Sequence, residues 1–263
     1  MTLAPASRLV ILYGIGGLSD VGRHAILAAL EQPAVSHITV VTEYPELLDE
    51  KRWECGCKEP HTNPATDHPE KIKVVGIDSW KNGSHVEVLK EHMKDADAVI
   101  SCLGHRQPGW INKELRKKGI VSAVGNKQVI EAMLATDGLD RAVVCSSIGI
   151  EEDWPPMEFH WAGKAMKWLF QGPSKKTFKD LTDMELAYKE AKSIDYLFVR
   201  PVGISEDEVP VNKWFLQKEK GVDAVGFNMA KMDVARFMVQ EALNPTKHRV
   251  GVVIGSEPPQ SKK

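Results

Sequence analysis

The chain has 263 residues, 43% of them hydrophobic and 27% charged, enough for one large α/β domain with a sizeable core. Its 34 basic and 36 acidic residues leave a net charge of −2, so nothing in the balance calls for nucleic acid or an anionic membrane surface. No apolar run approaches the roughly 20 residues that cross a bilayer, and the opening MTLAPAS lacks the basic and apolar regions of a leader. A cytoplasmic protein is the expectation.

Apolar runs alternate with helical patterns along the chain. The candidate strands are RLVILY (8–13), HITVVT (37–42), KIKVVGID (71–78), DAVISCLG (97–104), RAVVCSS (141–147), DYLFVRP (195–201) and RVGVVIG (249–255). They are short, rich in Val and Ile, and apolar on both faces, as parallel strands buried on two sides are. Helical patterns occupy 21–32, 85–94, 120–135, 182–192 and 232–243. This alternation predicts one Rossmann-type α/β domain, a doubly wound parallel sheet spanning 1–263. Two segments interrupt the rhythm: a polar loop at 50–70, and an inserted segment at 150–179 rich in Trp, Phe and Met. Four cysteines in a chain of this length do not make a disulfide framework. Cys102 and Cys145 fall in strand runs and read as small core hydrophobes.

The first strand runs into a glycine cluster, LVILYGIGGLSDVGRH. Phosphate binding at such a turn needs a tight bend, a backbone without Cβ atoms in the way, and a helix amino terminus aimed at the anion. Gly14 fits the bend. Gly16 and Gly17 fit the close approach, and a helix from about Val21 supplies the dipole. In a G-x-x-G-x-x-G turn the last glycine would stand at 20, where the chain has Asp20, and Gly22 comes two residues late. Asp20 is a candidate helix cap, and Arg23 would offset its charge near phosphates. Glu43 ends the second strand about 20 residues past the turn. An acid there accepts hydrogen bonds from the adenosine ribose and repels a 2′-phosphate, which favours NAD(H) over NADP(H). Lys51 and Arg52 follow closely enough to reverse that preference.

Four stretches resemble a known family: VISCLGHR (99–106), VGNKQVIEAMLATDGLDRAVVCSSIG (124–149), EAKSIDYLFVRP (190–201) and MAKMDVARFMVQEALNP (229–245). In order and spacing they resemble the atypical short-chain dehydrogenase/reductases, of the NmrA-like and biliverdin reductase B (flavin reductase) type. The resemblance implies that Gly14, Gly17, Leu103, Gly104 and Ser146 line an NAD(P) cofactor. Asp78 would lie near its adenine, and Pro201, Val202 and Gly203 beside its nicotinamide. It also implies a tyrosine and a lysine four residues apart on one helix, and the family's spacing back from Arg200-Pro201 puts them at Phe178 and Thr182. Neither can give a proton or carry the charge. The remaining candidates are Ser147, after the fifth strand, and the pair His160 and Lys164. The pair lies in FHWAGKAMKWLF, whose aromatic face also suits packing or an interface.

The leading reading is an NAD(P)H-dependent oxidoreductase reducing a conjugated or carbonyl small-molecule acceptor, bound under 150–179 and 203–227. The alternatives are an NmrA-like NAD(P)-sensing regulator and an assembly factor. The Trp-rich segment 154–170 is a candidate surface for a homodimer or a protein partner. Cys55, Cys57, His61 and His68 have Cys/His metal-ligand chemistry, but one residue separates the cysteines where zinc sites have two to four, and no metal is expected.

Overall fold

A computed structural model describes residues 7–14, 17–48, 64–104, 120–148, 150, 175–205, 208–217, 225–226 and 228–258. Eight strands form one sheet: β1 (Ser7–Tyr13), β2 (Val35–Thr42), β3 (Ile72–Gly76), β4 (Ala98–Cys102), β5 (Arg141–Cys145), β6 (Asp195–Pro201), β8 (Phe215–Leu216) and β10 (Val250–Gly255). Two shorter strands, β7 (Ile204–Ser205) and β9 (Met229–Ala230), pair apart from it. The long helices are α1 (Gly17–Leu30), α3 (Val86–Met93), α4 (Ser122–Leu134), α5 (Lys175–Glu190) and α6 (Lys231–Leu243). A one-turn α2 (Pro64–Asp67) precedes β3.

The sheet order is β3-β2-β1-β4-β5-β6-β10-β8. Every pairing is parallel except β8 against β10. The chain steps outward from β1 to β2 and β3, then returns to β4 on the other side. The boundary between β1 and β4 is therefore the switch point of a doubly wound sheet, where such folds bind ligands at the carboxyl ends of their strands.

Alternation along the strands splits the core into two layers. Leu9, Ile11, Ile100, Cys102, Val143, Cys145, Leu197 and Val199 face α1 and α6. Val10, Leu12, Val99, Ala142, Val144 and Phe198 face α3, α4 and α5. Both faces being covered is why the strands read as unbroken apolar runs. The expected free core cysteines are there: Cys102 and Cys145 are buried and unbridged. Burial pushes the Cys145 thiol up to about 12, and burial together with the neighbouring Cys145 raises Cys102.

Two helices begin earlier than expected. α1 starts at Gly17 rather than near Val21, so Asp20 lies inside its first turn and is not its cap. α5 starts at Lys175, not Thr182, which shortens the inserted segment. Its first turns, KKTFKD, are too polar to show a helical stripe. Tertiary contact decides both starts, because glycines and charged residues give weak local signals.

Candidate functional site

Gly14 directly follows β1 and α1 opens at Gly17; Ile15 and Gly16 lie outside the described residues. Gly22 is one turn into the helix and faces inward. A Cβ there would stand 3.1 Å from both the Cβ of Cys102 and the ring of Tyr13. Its role is therefore to seat α1 closely on β1 and β4, which carries the helix amino terminus to the switch point. Its late position in the motif is a packing requirement. Arg23 donates from Nε to the Tyr13 hydroxyl at 2.6 Å and lies over that ring.

Past β2, Glu43 Oε1 accepts the backbone N–H of Trp80 at 2.6 Å. Trp80 is fully buried, and its carbonyl accepts from Gln128 Nε2 at 2.9 Å. Gln128 Oε1 in turn accepts the N–H of His85 at 2.7 Å. The loop after β3 is thus tied to Glu43 on one side and α4 on the other. Asp78, on that loop, is exposed. On the far side of the turn Leu103 and Gly104 are buried, and the Leu103 carbonyl accepts the Ser122 hydroxyl at 3.0 Å. The amino end of α4 has no cap of its own. Asp180 of α5 supplies one, accepting the N–H groups of Ser122 and Ala123 at 2.9 and 3.1 Å. Burial raises the Asp180 carboxyl above its ordinary range, against the pull of those backbone bonds.

The paired serines separate. Ser146 is fully buried and its hydroxyl donates to Glu185 Oε1 at 2.6 Å. Its side chain is an internal support between β5 and α5. Ser147 is half-buried and donates to the Ile148 carbonyl at 3.0 Å. Pro201 and Val202 are buried at the end of β6, and Gly203 takes φ +63° in the turn to β7.

Phe178 and Thr182 sit on the inner face of α5. Phe178 clusters with Ile148, Val202, Val225 and Val253, and Phe215 packs on its edge. Thr182 Oγ1 donates to the Phe178 carbonyl at 2.9 Å. A buried apolar cluster therefore joins α5 to the chain just after β5 and β6 and to β10. His160 and Lys164, Cys55, Cys57 and His61, and the segment 154–170 lie outside the described residues. His68 is described and lies 3.6 Å from Glu70. Among the described residues no cluster of His, Cys, Asp and Glu could hold a metal ion.

Sequence reading missed Glu185, Arg200, Trp80 and Asp180. Two left a signal. Arg200 is a charge inside the apolar strand DYLFVRP, and Glu185 shares a helix face with Phe178, Leu181, Thr182 and Tyr188. A buried charge requires a partner, and these two are partners.

A glycine directly after β1, a helix that opens at Gly17 and is closely seated at the switch point, and an acid at the end of β2 fit a dinucleotide. Together they define a Rossmann-type NAD(P)-binding protein. The chain belongs to the NAD(P)H-binding family, whose model matches residues 16–245. No curated protein matches it by sequence. Among solved structures it is similar to a wide-type short-chain dehydrogenase/reductase from Veillonella parvula in complex with NADP. That likeness has TM-score 0.64 and 15% identity, covering 96% of this chain and 98% of that one. It is similar to the anaerobilin reductase ChuY from Escherichia coli O157:H7, with TM-score 0.62 and 19% identity over 98% and 100% of the two chains. A Rossmann-fold NAD(P)-binding family protein from Shigella flexneri matches with TM-score 0.58 and 16% identity over 97% and 98%. The likeness to these structures is one of fold.

Proposed function

We propose that the protein is an NAD(P)H-dependent reductase of the atypical short-chain type, acting on a flat conjugated acceptor. The observation that carries this reading is the apolar cluster of Ile148, Phe178, Val202, Val225 and Val253 beside Ser147. Reduction of an isolated carbonyl builds negative charge on one oxygen and needs an oriented acid. Phe178 has no proton to give, and Thr182 spends its hydroxyl on the Phe178 carbonyl. A conjugated acceptor spreads the incoming charge and takes its proton from solvent or from the Ser147 hydroxyl. The balance is acceptor, reduced cofactor and one proton giving reduced acceptor and oxidised cofactor. An anaerobilin reductase with the same fold agrees with this reading.

Gly14, Gly17 and the amino end of α1 would hold the pyrophosphate, and Gly22 holds that helix in place. Leu103 and Gly104 would border the switch point. Glu43 would meet the adenosine ribose while its Oε1 is fixed by the Trp80 N–H, which favours NAD(H). Pro201, Val202 and Gly203 would border the nicotinamide, with Ser147 opposite. A reduced nicotinamide supplies the hydride.

The test has two stages. Titration with NADH and NADPH should give binding, with NADH favoured, and Gly17→Asp should abolish it by adding a charge at the start of α1. Turnover is then followed with flavin mononucleotide as acceptor. Tight binding without reduction of any flavin or tetrapyrrole acceptor would replace the reductase reading with that of an NAD(P)-sensing regulator.

A further inference from the structure

Helix α5 has neither tyrosine nor lysine at 178 and 182, yet it reaches the carboxyl edge of the sheet through another side chain. Glu185 is 2% exposed, and so is nearly cut off from water. Its Oε1 accepts the Ser146 hydroxyl at 2.6 Å and Arg200 Nε at 3.1 Å, and its Oε2 accepts Arg200 Nη2. Arg200 is itself 4% exposed and lies across Gly251 of β10, where a Cβ would stand 2.7 Å from its guanidinium carbon. One carboxylate therefore joins the end of β5, the end of β6 and the middle of α5.

The chemistry fixes the direction of each bond. An ionised carboxylate only accepts, so Ser146 must donate to it. That commits the Ser146 proton and leaves Ser147 as the hydroxyl of the pair nearer the surface. The positions matter as well. Ser146 is followed directly by Ser147 and Ile148, and Arg200 by Pro201, Val202 and Gly203. The Ser146 N–H also bonds to the Val199 carbonyl at 2.8 Å, so both strand ends are tied to each other and to Glu185. A buried ion pair of this kind holds its elements to one geometry, because any displacement exposes an unpaired charge to a medium that solvates it poorly. The adenosine side has separate supports in Glu43, Trp80 and Gln128, beside β2 and β3.

We propose that Glu185 is a positioning residue for the nicotinamide half of the cofactor. It acts through Ser146 on the backbone carrying Ser147 and Ile148, and through Arg200 on Pro201–Gly203. The proposal rests on the NAD(P)H reading above and adds to it a division of labour between the two halves of the dinucleotide site.

The experiment compares two ligands. NADH fills both halves of the site, and ADP-ribose fills only the adenosine half. Each is titrated against the parent, Ser146→Ala and Glu185→Gln, with thermal unfolding run alongside. Ser146→Ala removes one hydroxyl and leaves the ion pair, so it keeps the test open if Glu185→Gln does not fold. The expected result is NADH affinity about tenfold lower in the variants, the size of one lost hydrogen bond to a charged group, with ADP-ribose affinity unchanged within about twofold. A role in overall stability alone would move both ligands together or neither, and either result overturns the proposal. So does a parent that binds ADP-ribose as tightly as NADH, because its nicotinamide half then contributes nothing. A parent that binds NADH tenfold tighter than ADP-ribose but reduces no acceptor defeats only the reductase reading, and the affinity pattern in the variants still supports the role of Glu185.

Discussion

At the amino edge of the sheet, Arg141 opens β5 with its side chain 5% exposed. Its donors go to the Asp195 carboxylate at 2.9 Å and to the backbone carbonyls of Glu241 and Lys247 at 2.9 to 3.2 Å. Asp195 also accepts His248 Nδ1 at 2.8 Å, and the Glu241 carboxylate takes the N–H groups of Thr246 and Lys247. At the carboxyl edge, Arg200 closes β6 and grips Glu185, which holds Ser146. Both guanidinium groups are buried, but their surroundings differ. Arg141 staples the end of α6 and the turn before β10 to the floor of the sheet, largely through carbonyls that would otherwise lack donors. Arg200 pairs with a carboxylate on the edge where a doubly wound fold binds its ligand. The same ion-pair chemistry closes the chain at one edge and supports the ligand-binding edge at the other.

The largest expected effect separates the two arginines. Arg141→Met leaves the buried Glu241 and the partly buried Asp195 without their guanidinium and two carbonyls without donors. A loss of about 3–5 kcal/mol in urea unfolding is expected, with NADH affinity of the remaining folded protein unchanged. A loss below about 1 kcal/mol would mean that the staple is ornamental. A fall in NADH affinity at full folding would mean that the edges are not independent.

Phe178→Tyr probes the carboxyl edge more gently. It installs the tyrosine that the family's spacing expects, but among Ile148, Val202, Val225 and Val253. A buried hydroxyl in such a cluster costs about 1–3 kcal/mol when unpartnered, so thermal stability should fall and turnover with flavin mononucleotide should not rise. A gain in rate would show that the edge can use an acid from α5, and the argument that the acceptor takes its proton from solvent or Ser147 alone would fail.

The two edges also differ in how far the sequence reveals them. Strand identities and the parallel class of the sheet were legible, because parallel strands covered on both faces leave unbroken Val- and Ile-rich runs such as HITVVT and RAVVC. The break from β1 to a helix at the glycine cluster, and the end of β2 just before Glu43, were legible because those signals are local. The antiparallel edge strand β8 and the pair β7 and β9 were not, since two residues each carry no period. The carboxyl-edge supports were hidden for another reason. Ser146, Glu185 and Arg200 lie 39 and 15 residues apart along the chain, and only the crossing of β5, α5 and β6 brings them together. Gly22 was visible as the late glycine of the cluster, but its close packing on Cys102 and Tyr13 shows only once the helix is placed.

The smallest effect concerns Asp180, which caps α4 beside Leu103 and Gly104. Burial raises its carboxyl above the ordinary value, with Asp183 adding to the rise. The folded protein therefore holds this proton more tightly than the unfolded chain does. As pH climbs from the ordinary carboxyl value of about 3.9 through the raised one, the folded state must charge a desolvated group, and the contribution of Asp180 to stability falls. Asn has one acceptor oxygen where Asp has two, so Asp180→Asn leaves one of the Ser122 and Ala123 N–H groups unserved and costs about 0.5–2 kcal/mol, as lost caps do. That cost should be largest at acid pH and should shrink as pH rises through the window, read as the gap between parent and variant in urea unfolding at a series of pH values. The opposing force is attraction between the ionised carboxylate and the positive end of the α4 dipole, worth up to about 1 kcal/mol at an exposed helix end. A gap that widens with pH would mean that this attraction outweighs desolvation at α4, and that the carboxyl edge, like the amino edge, is held by ionised groups throughout.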